Sequence, residues 1–334
     1  MKNSYINHQK KNYKTMISVS VVLPIYNMEK YLDCSLQSLL DQSLKNIEVI
    51  CVNDGSKDNS LSIIEKYKKI DPRIVLIDQE NTGSGIARNN GIKVAKGEYI
   101  AFLDPDDKLY SKQALEDLYS NAILENTEIA GGNFEFIYDN FDAKNLEEKN
   151  ILEEEKISKE ATNYVFKRNF VGNVDDYQSG SWFWRFIYKR EFIINNNIFF
   201  PDYKRFQDIV FFAKALCMCK KIYFSKNKYY CYRINHKVMK YTKKQKYDIL
   251  CALNDCFNIY YNYRKFVQYT NIFIIFNEMI NVFYSDKIEQ ELIPFIREIL
   301  DNINFNVFSF ELFEIDLTGI KYIISETNLN EKDK

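Results

Sequence analysis

The chain has 334 residues, 46% of them hydrophobic and 27% charged, with only 10 Gly and 5 Pro; this excludes a wholly disordered, collagen-like or linker-dominated polypeptide. At roughly 150 residues per domain, the length predicts about two domains. The 45 Lys and Arg against 46 Asp and Glu leave a formal charge of −1, so no global positive field draws the protein to nucleic acid.

The first sixteen residues read as a polar tail without the apolar core of a signal peptide, and no run approaches 18 uncharged apolar residues. From Ile17 the pattern changes. Short β-branched runs at Ser18 to Leu23, Ile47 to Val52, Ile74 to Ile77 and Tyr99 to Leu103 predict buried strands. Between them, Leu32, Leu36, Leu39 and Leu40 form one helical face, Ile63, Ile64 and Tyr67 another behind the Asp58, Asn59, Ser60 start signal, and a third helix spans about Gly85 to Ala95. Strand and helix alternating over ~90 residues predict a mostly parallel sheet covered on both faces, an α/β nucleotide-binding layout. A helix near Ser111 to Leu124 and a strand near Glu128 to Tyr138 follow, then a charged excursion from Asp139 to Lys159. The stretch from Phe166 to Tyr232 is rich in aromatics, and the chain beyond Lys240 reads as helical. The expected organisation is therefore a tail (1–16), a nucleotide-binding half (17–138), an acceptor half (139–240) and a helical C-terminal extension (241–334).

Sheets of this kind bind ligands at the carboxyl ends of their strands. Those ends are polar here: Pro24, Ile25, Tyr26, Asn27 after the first strand, Asn53, Asp54, Gly55, Ser56 after the second, and Asp104, Pro105, Asp106, Asp107 after the fourth. The Asp-Pro-Asp turn offers hard oxygen ligands for Mg²⁺ or Mn²⁺, ions that take one or two protein carboxylates and fill the remaining positions with phosphate oxygens and water. Asp54 either accepts the imide N–H of a uracil or caps the following helix, as Ser56 or Asp58 equally could. Tyr26 either flanks a base or belongs to the core, and Trp182 and Trp184 are either sugar platforms or packing. Gly83, Ser84, Gly85, Ile86, Ala87, Arg88 imitates a dinucleotide fingerprint, but that fingerprint belongs after the first strand, and Arg88 replaces its third glycine. An arginine opening a helix beside glycines suits phosphate or carboxylate pairing.

Two histidines, His8 and His236, are too few for a multi-histidine metal site, and the seven irregularly spaced cysteines lack the CxxC pair of a zinc site. Carboxylates must carry most of the chemistry, and a reduced cytosol suits the thiols. Residues 220 to 246 hold ten Lys or Arg and no acid. This is either a solvated basic face or a contact for an anionic membrane surface. Aromatic residues beyond Lys240 leave a homodimer seam open.

Together, Val21 to Asn27 (VVLPIYN), Val52 to Ser60 (VNDGSKDNS), Asn81 to Gly91 (NTGSGIARNNG) and Ala101 to Asp107 (AFLDPDD) resemble family 2 glycosyltransferases of the GT-A fold. The resemblance continues through Trp184 to Arg190, Phe206 to Phe212 and Tyr230 to Met239. It implies inverting transfer of a sugar from a nucleotide diphosphate donor, a UDP-sugar, to a hydroxyl of a saccharide or lipid-linked saccharide in bacterial surface-glycan synthesis. The resemblance also implies that Pro24 and Tyr26 line the nucleoside, Asp54 binds uracil, Asp104 the ribose and Asp106 a Mn²⁺ or Mg²⁺ ion, with Arg88 supporting the donor site. Asp208 corresponds to the family's general base, although the usual Glu-Asp pair here reads Gln207, Asp208. His236 falls at a diphosphate or metal contact. The expected protein is cytoplasmic, with a peripheral place on the inner membrane face through 220–246, and binds no nucleic acid. A catalytically inactive nucleotide-sugar-binding or scaffold protein of the same fold is the alternative.

Overall fold

The computed structural model describes residues 17–138, 165–177, 182–234 and 241–263, together with the single position 294. The polar tail, the charged excursion after Tyr138, His236 and most of the expected C-terminal extension lie outside the described residues. Of the described residues, 17–138, 165–172, 184–197 and 220–234 form one compact unit, and 173–177, 182–183, 198–219 and 241–263 form a second. The units interleave along the chain rather than following one another.

The first unit is built on one mixed sheet. Its strands are β1 (Val19–Ile25), β2 (Ile47–Asp54), β3 (Ile74–Gln79), β4 (Tyr99–Phe102), β5 (Lys108–Leu109), β6 (Ile129–Tyr138), β7 (Phe170–Gly172), β8 (Phe186–Lys189) and β9 (Ile222–Ile234). They lie in the order β3-β2-β1-β4-β8-β6-β9-β5, with β7 also on β9. The run β3-β2-β1-β4 is parallel throughout, β8 is antiparallel to both its neighbours, and β6 and β9 are parallel. Helices α1 (Leu32–Leu40), α2 (Ser60–Ile70), α3 (Ser84–Val94), α4 (Ala114–Glu125) and α5 (Arg190–Asn195) belong to this unit. Every strand and helix expected between residues 17 and 138 is present.

Every residue of β1 and β2 is buried, which is why these segments read as continuous apolar runs rather than alternating ones. Glu48 interrupts the apolar run Ile47 to Val52 of β2, and its Oε1 accepts hydrogen bonds from Ser20 Oγ and the Lys96 N–H, both at 2.6 Å. A buried carboxylate needs such donors, because an unpaired one would be strongly destabilising. Helix α3 lies close on the sheet, since a Cβ added to Gly91 would stand 2.4 Å from Val22 Cγ1.

The topology opens a crevice at one place. The chain runs from β1 outward through β2 to β3, then returns to the other side of β1 as β4, and such a switch point leaves a gap at the carboxyl ends. Pairing of β1 with β4 stops at Val22 and Phe102, whereas pairing with β2 continues to Ile25 and Asn53. Pro24, which has no N–H to donate, falls in this one-sided stretch of β1.

In the second unit, α6 (Gln207–Met218) packs against α7 (Lys243–Tyr263). Ile249, Leu250, Leu253, Cys256 and Tyr260 are buried along α7 at helical spacing. Phe200 stacks on Phe211 with centroids 4.1 Å apart, and Tyr177 meets Phe212 edge-on at 5.5 Å. Among the described residues, no helix is long and apolar enough to cross a membrane.

Candidate active site

Four loops meet at the carboxyl ends of β1 to β4, and side chains tie them together. After β1, Asn27 adopts a left-handed backbone (φ 54°); its N–H donates to Ser56 Oγ and its Oδ1 accepts from the Lys57 N–H at 2.7 Å. The Glu29 N–H donates to Asp58 Oδ2, the Asn59 N–H to Glu29 Oε2, and the Met28 N–H to Ser60 Oγ. The loops after β1 and β2 therefore form one stitched layer.

Asp54, only 2% exposed, ties β2 to the loop after β3. Its Oδ1 accepts from the Thr82 N–H (2.8 Å), Gln79 Nε2 (2.9 Å) and Thr82 Oγ1 (3.2 Å), and its Oδ2 accepts from the Gly83 N–H at 2.8 Å. Asp54 is thus no cap of α2. Asp58 serves that helix start, its Oδ1 accepting from the Ser60 N–H. Each oxygen of a carboxylate offers two lone-pair directions, so the three donors crowded on Oδ1 use that oxygen fully, while Oδ2, with one donor, keeps one direction for a further partner.

The acidic turn after β4 closes through an Asp107 N–H to Asp104 O hydrogen bond of 3.0 Å. Its three carboxylates differ sharply in surroundings. Asp104 Oδ1 pairs with Arg88 NH2 at 2.6 Å, the arginine coming from the second turn of α3. The pairing expected of Arg88 from sequence is therefore met by a carboxylate. Asp106 is partly exposed. Asp107 is buried, its Oδ2 accepting from the Tyr230 hydroxyl at 2.8 Å and its Oδ1 from the Arg233 N–H at 2.6 Å. Burial first, then the neighbouring Asp104 and Asp106 charges, push its carboxyl up to about 9, against the opposing pull of those two donors.

Strand β9 holds this turn from outside the four loops. The Tyr230 hydroxyl accepts from the Asp104 N–H at 3.0 Å while donating to Asp107. Arg233 Nε donates to Asp106 O at 2.7 Å, and the Arg233 guanidinium lies 4.9 Å from the Tyr31 ring centroid, reaching the loop after β1. Trp184 stacks on Tyr230 and Tyr232, with centroids 4.3 and 5.2 Å away, and is 6% exposed. It is packing rather than an open sugar platform. Tyr26, by contrast, is 44% exposed at the end of β1 and does not belong to the core.

In the first unit, Pro24, Tyr26, Asp54, Asp104 and Asp106 stand at or just beyond the carboxyl ends of β1, β2 and β4, and Arg88 on α3 is joined to Asp104. Asp208 belongs to the second unit, in the first turn of α6. His236 lies outside the described residues. Sequence reasoning missed Asp107, Tyr230 and Arg233. The last letter of AFLDPDD and the Tyr-Cys-Tyr-Arg run were visible, but nothing in their spacing revealed that a strand more than a hundred residues away would close on the turn.

Several of the basic residues in 220–246 have partners among the described residues. Lys221 Nζ donates to Glu125 O, Lys228 pairs with Glu135 at 2.7 Å, Arg233 donates to Asp106 O, and Lys244 pairs with Asp248 at 2.6 Å. The hydrogen bond to Glu135 raises the Lys228 pKa, and that to Asp248 raises the Lys244 pKa.

A mostly parallel central sheet flanked by helices, with polar loops at the carboxyl ends of β1 to β4, defines an α/β protein. The family model for Glycosyl transferase family 2 matches residues 20–226. Relatives include the uncharacterised glycosyltransferase EpsJ of Bacillus subtilis, 34% identical over 221 residues, and the cholesterol galactosyltransferase of Borreliella burgdorferi, 33% identical over 223 residues. These matches cover 65% and 64% of this chain but 61% and 59% of the relatives, less than two thirds of their length. In fold, the chain is similar to S. aureus TarS 1–349, with a TM-score of 0.66 at 22% identity over 87% of this chain and 82% of that one. TarS has also been solved with UDP and with UDP-GlcNAc. The chain belongs to glycosyltransferase family 2, on a GT-A-type fold.

Proposed function

We propose that the protein is a metal-dependent, inverting glycosyltransferase moving a sugar from a UDP-sugar to a hydroxyl of a saccharide or lipid-linked saccharide in bacterial surface-glycan synthesis. The observation that carries the proposal is the convergence, at one switch point, of the buried Asp54, the Arg88–Asp104 pair and the partly exposed Asp106. In this reading the remaining Oδ2 direction of Asp54 accepts the uracil imide N–H, Tyr26 flanks the base beside Pro24, and Asp104, held by Arg88, meets the ribose.

A divalent ion fits the donor set. Among the described residues, no three His, Cys, Asp or Glu side chains group to hold a metal by themselves. Mg²⁺ and Mn²⁺ commonly need only one or two protein carboxylates where phosphates supply the other oxygens, and Asp106 is a hard oxygen ligand on the acidic turn. When bound, the ion would neutralise charge developing on the departing diphosphate. Asp208 takes the part of the base that accepts the acceptor hydroxyl's proton, an assignment resting on the family resemblance. Gln207 beside it carries no charge, so Asp208 would act without an ionised neighbour at that position.

Incubation with a panel of UDP-sugars and Mn²⁺, followed by mass detection of UDP and sugar products, tests the proposal. We expect UDP release that EDTA suppresses. UDP binding without release from any donor would favour the inactive binding or scaffold reading instead, and neither binding nor release would overturn both.

A further inference from the structure

The family match ends at residue 226, yet the loop that delivers Asp208 is fastened by side chains from beyond that point. Phe206, immediately before α6, has a left-handed backbone (φ 60°, ψ 16°), a conformation uncommon for a bulky residue and kept only where surrounding contacts impose it. The residues just before it are held from α7 and its approach. Asp248, whose side chain is 0% exposed, accepts the Lys204 N–H on Oδ2 at 2.7 Å and Lys244 Nζ on Oδ1 at 2.6 Å. One helical repeat further on, Asp255 Oδ2 accepts the Tyr203 hydroxyl at 2.8 Å. Between these anchors and the helix, the Arg205 guanidinium lies 5.7 Å from the Phe206 ring centroid and 5.6 Å from that of Tyr241.

These contacts fix two successive residues, Tyr203 and Lys204, by a side-chain and a backbone donor respectively, four to five positions before Asp208. The carboxylate–backbone bond is charge-assisted and buried, the strong kind. Lys244 Nζ pairs with the other oxygen of the same carboxylate. All of these groups lie in the second unit, so the arrangement is complete within one compact body.

We propose that Asp248, with Asp255, is a positioning residue for Asp208: α7 orients the first turn of α6 through the loop at 203–206. The inference rests on Asp208 being the base. It gives the helix beyond the family match a part in turnover that packing alone would not give it.

The test measures UDP release from a UDP-sugar that supports it, with Mn²⁺ present, in Asp208→Asn, Asp248→Asn and the double variant. As a general base, Asp208 is worth typically 10²–10⁴-fold in kcat. A base displaced by about 1 Å can lose ~10²-fold, so Asp248→Asn should lower kcat by roughly 10- to 100-fold with the donor KM unchanged. In the Asp208→Asn background the same substitution should cost less than about 2-fold, because residues acting as a unit are non-additive. A merely structural role would cost the same factor in both backgrounds, and that result, or an unchanged kcat in Asp248→Asn alone, overturns the inference while leaving the base intact. Wild-type kcat in Asp208→Asn overturns the base reading and the inference with it. If Asp248→Asn does not fold by circular dichroism, Tyr203→Phe, which removes one hydroxyl, replaces it in the same two backgrounds, with a smaller loss expected and the same criteria.

Discussion

Asp54 and Asp106 are both aspartates at the carboxyl end of the sheet, but their neighbours set them different tasks. Asp54 is enclosed by the Thr82 and Gly83 N–H groups, the Gln79 amide and the Thr82 hydroxyl; removing its carboxylate strands several donors that the loop after β3 has aimed at it. Hydrogen bonds to a charged group contribute about 1.5–3 kcal/mol each, and orphaned buried donors add their own desolvation cost. We therefore expect Asp54→Ala to destabilise the protein by roughly 3 kcal/mol, read as a lower urea midpoint, with UDP affinity falling alongside. Asp106 is partly exposed, and its backbone carbonyl accepts from Arg233 Nε, a bond that a change of side chain leaves in place. Asp106→Asn should leave the urea midpoint near that of the unaltered protein while abolishing the Mn²⁺ stimulation of UDP release. If both substitutions moved only stability, Asp106 would have no special place in the chemistry. Asp107 belongs with Asp54, as a carboxylate consumed by the architecture of the rim.

At the scale of elements, the sharp exits from the strands decide whether the rim forms. Gly55 ends β2 with φ +72°, and a Cβ there would stand 2.9 Å from the Asn81 backbone nitrogen. A left-handed backbone costs a residue with a side chain about 1–2 kcal/mol before any clash, so Gly55→Ala should lower stability by roughly 2–3 kcal/mol. The loops of β1, β2 and β3 interlock at this point, so UDP affinity should fall with stability; an unaltered midpoint would mean that the loop relaxes freely. The parallel elements and this turn were legible from sequence because their signals are local: buried β-branched runs, start residues for helices, and a glycine where the chain must turn. The antiparallel β8, slotted between β4 and β6, was not legible in that way. Its four residues, Phe186–Lys189, have no periodicity of their own, and their place depends on pairing with Tyr99–Ala101 on one side and Ile129–Gly131 on the other. The pinning of the Asp208 loop was hidden for the same reason, since Asp248 and Asp255 look like ordinary helical acids until the fold brings Lys204 and Tyr203 to them.

Over the whole molecule, opposite charges balance to within one unit. The basic run at 220–246 looked in sequence like a one-sided surface, but Lys221, Lys228 and Arg233 are drawn to carboxylates or carbonyls from other parts of the chain, and Lys244 to Asp248 one turn on in its own helix. Each basic residue near an anionic bilayer is worth about 1 kcal/mol, and side chains committed elsewhere contribute little of it. Anionic phosphatidylglycerol vesicles at ~150 mM salt, where exposed charges are screened beyond about 8 Å, should therefore sediment no more protein than neutral vesicles; strong preferential retention would restore the membrane-facing reading. The interleaving of the two units has a different bearing, on how such an enzyme can be recombined. Strands β8 and β9 return to the first unit after the chain has already entered the second, so a single crossover with a relative's gene cannot exchange one unit whole. A hybrid joined near residue 173 would inherit β8 and β9 from one parent and their sheet neighbours from the other, and every grafted specificity would arrive with a foreign seam through the middle of the sheet.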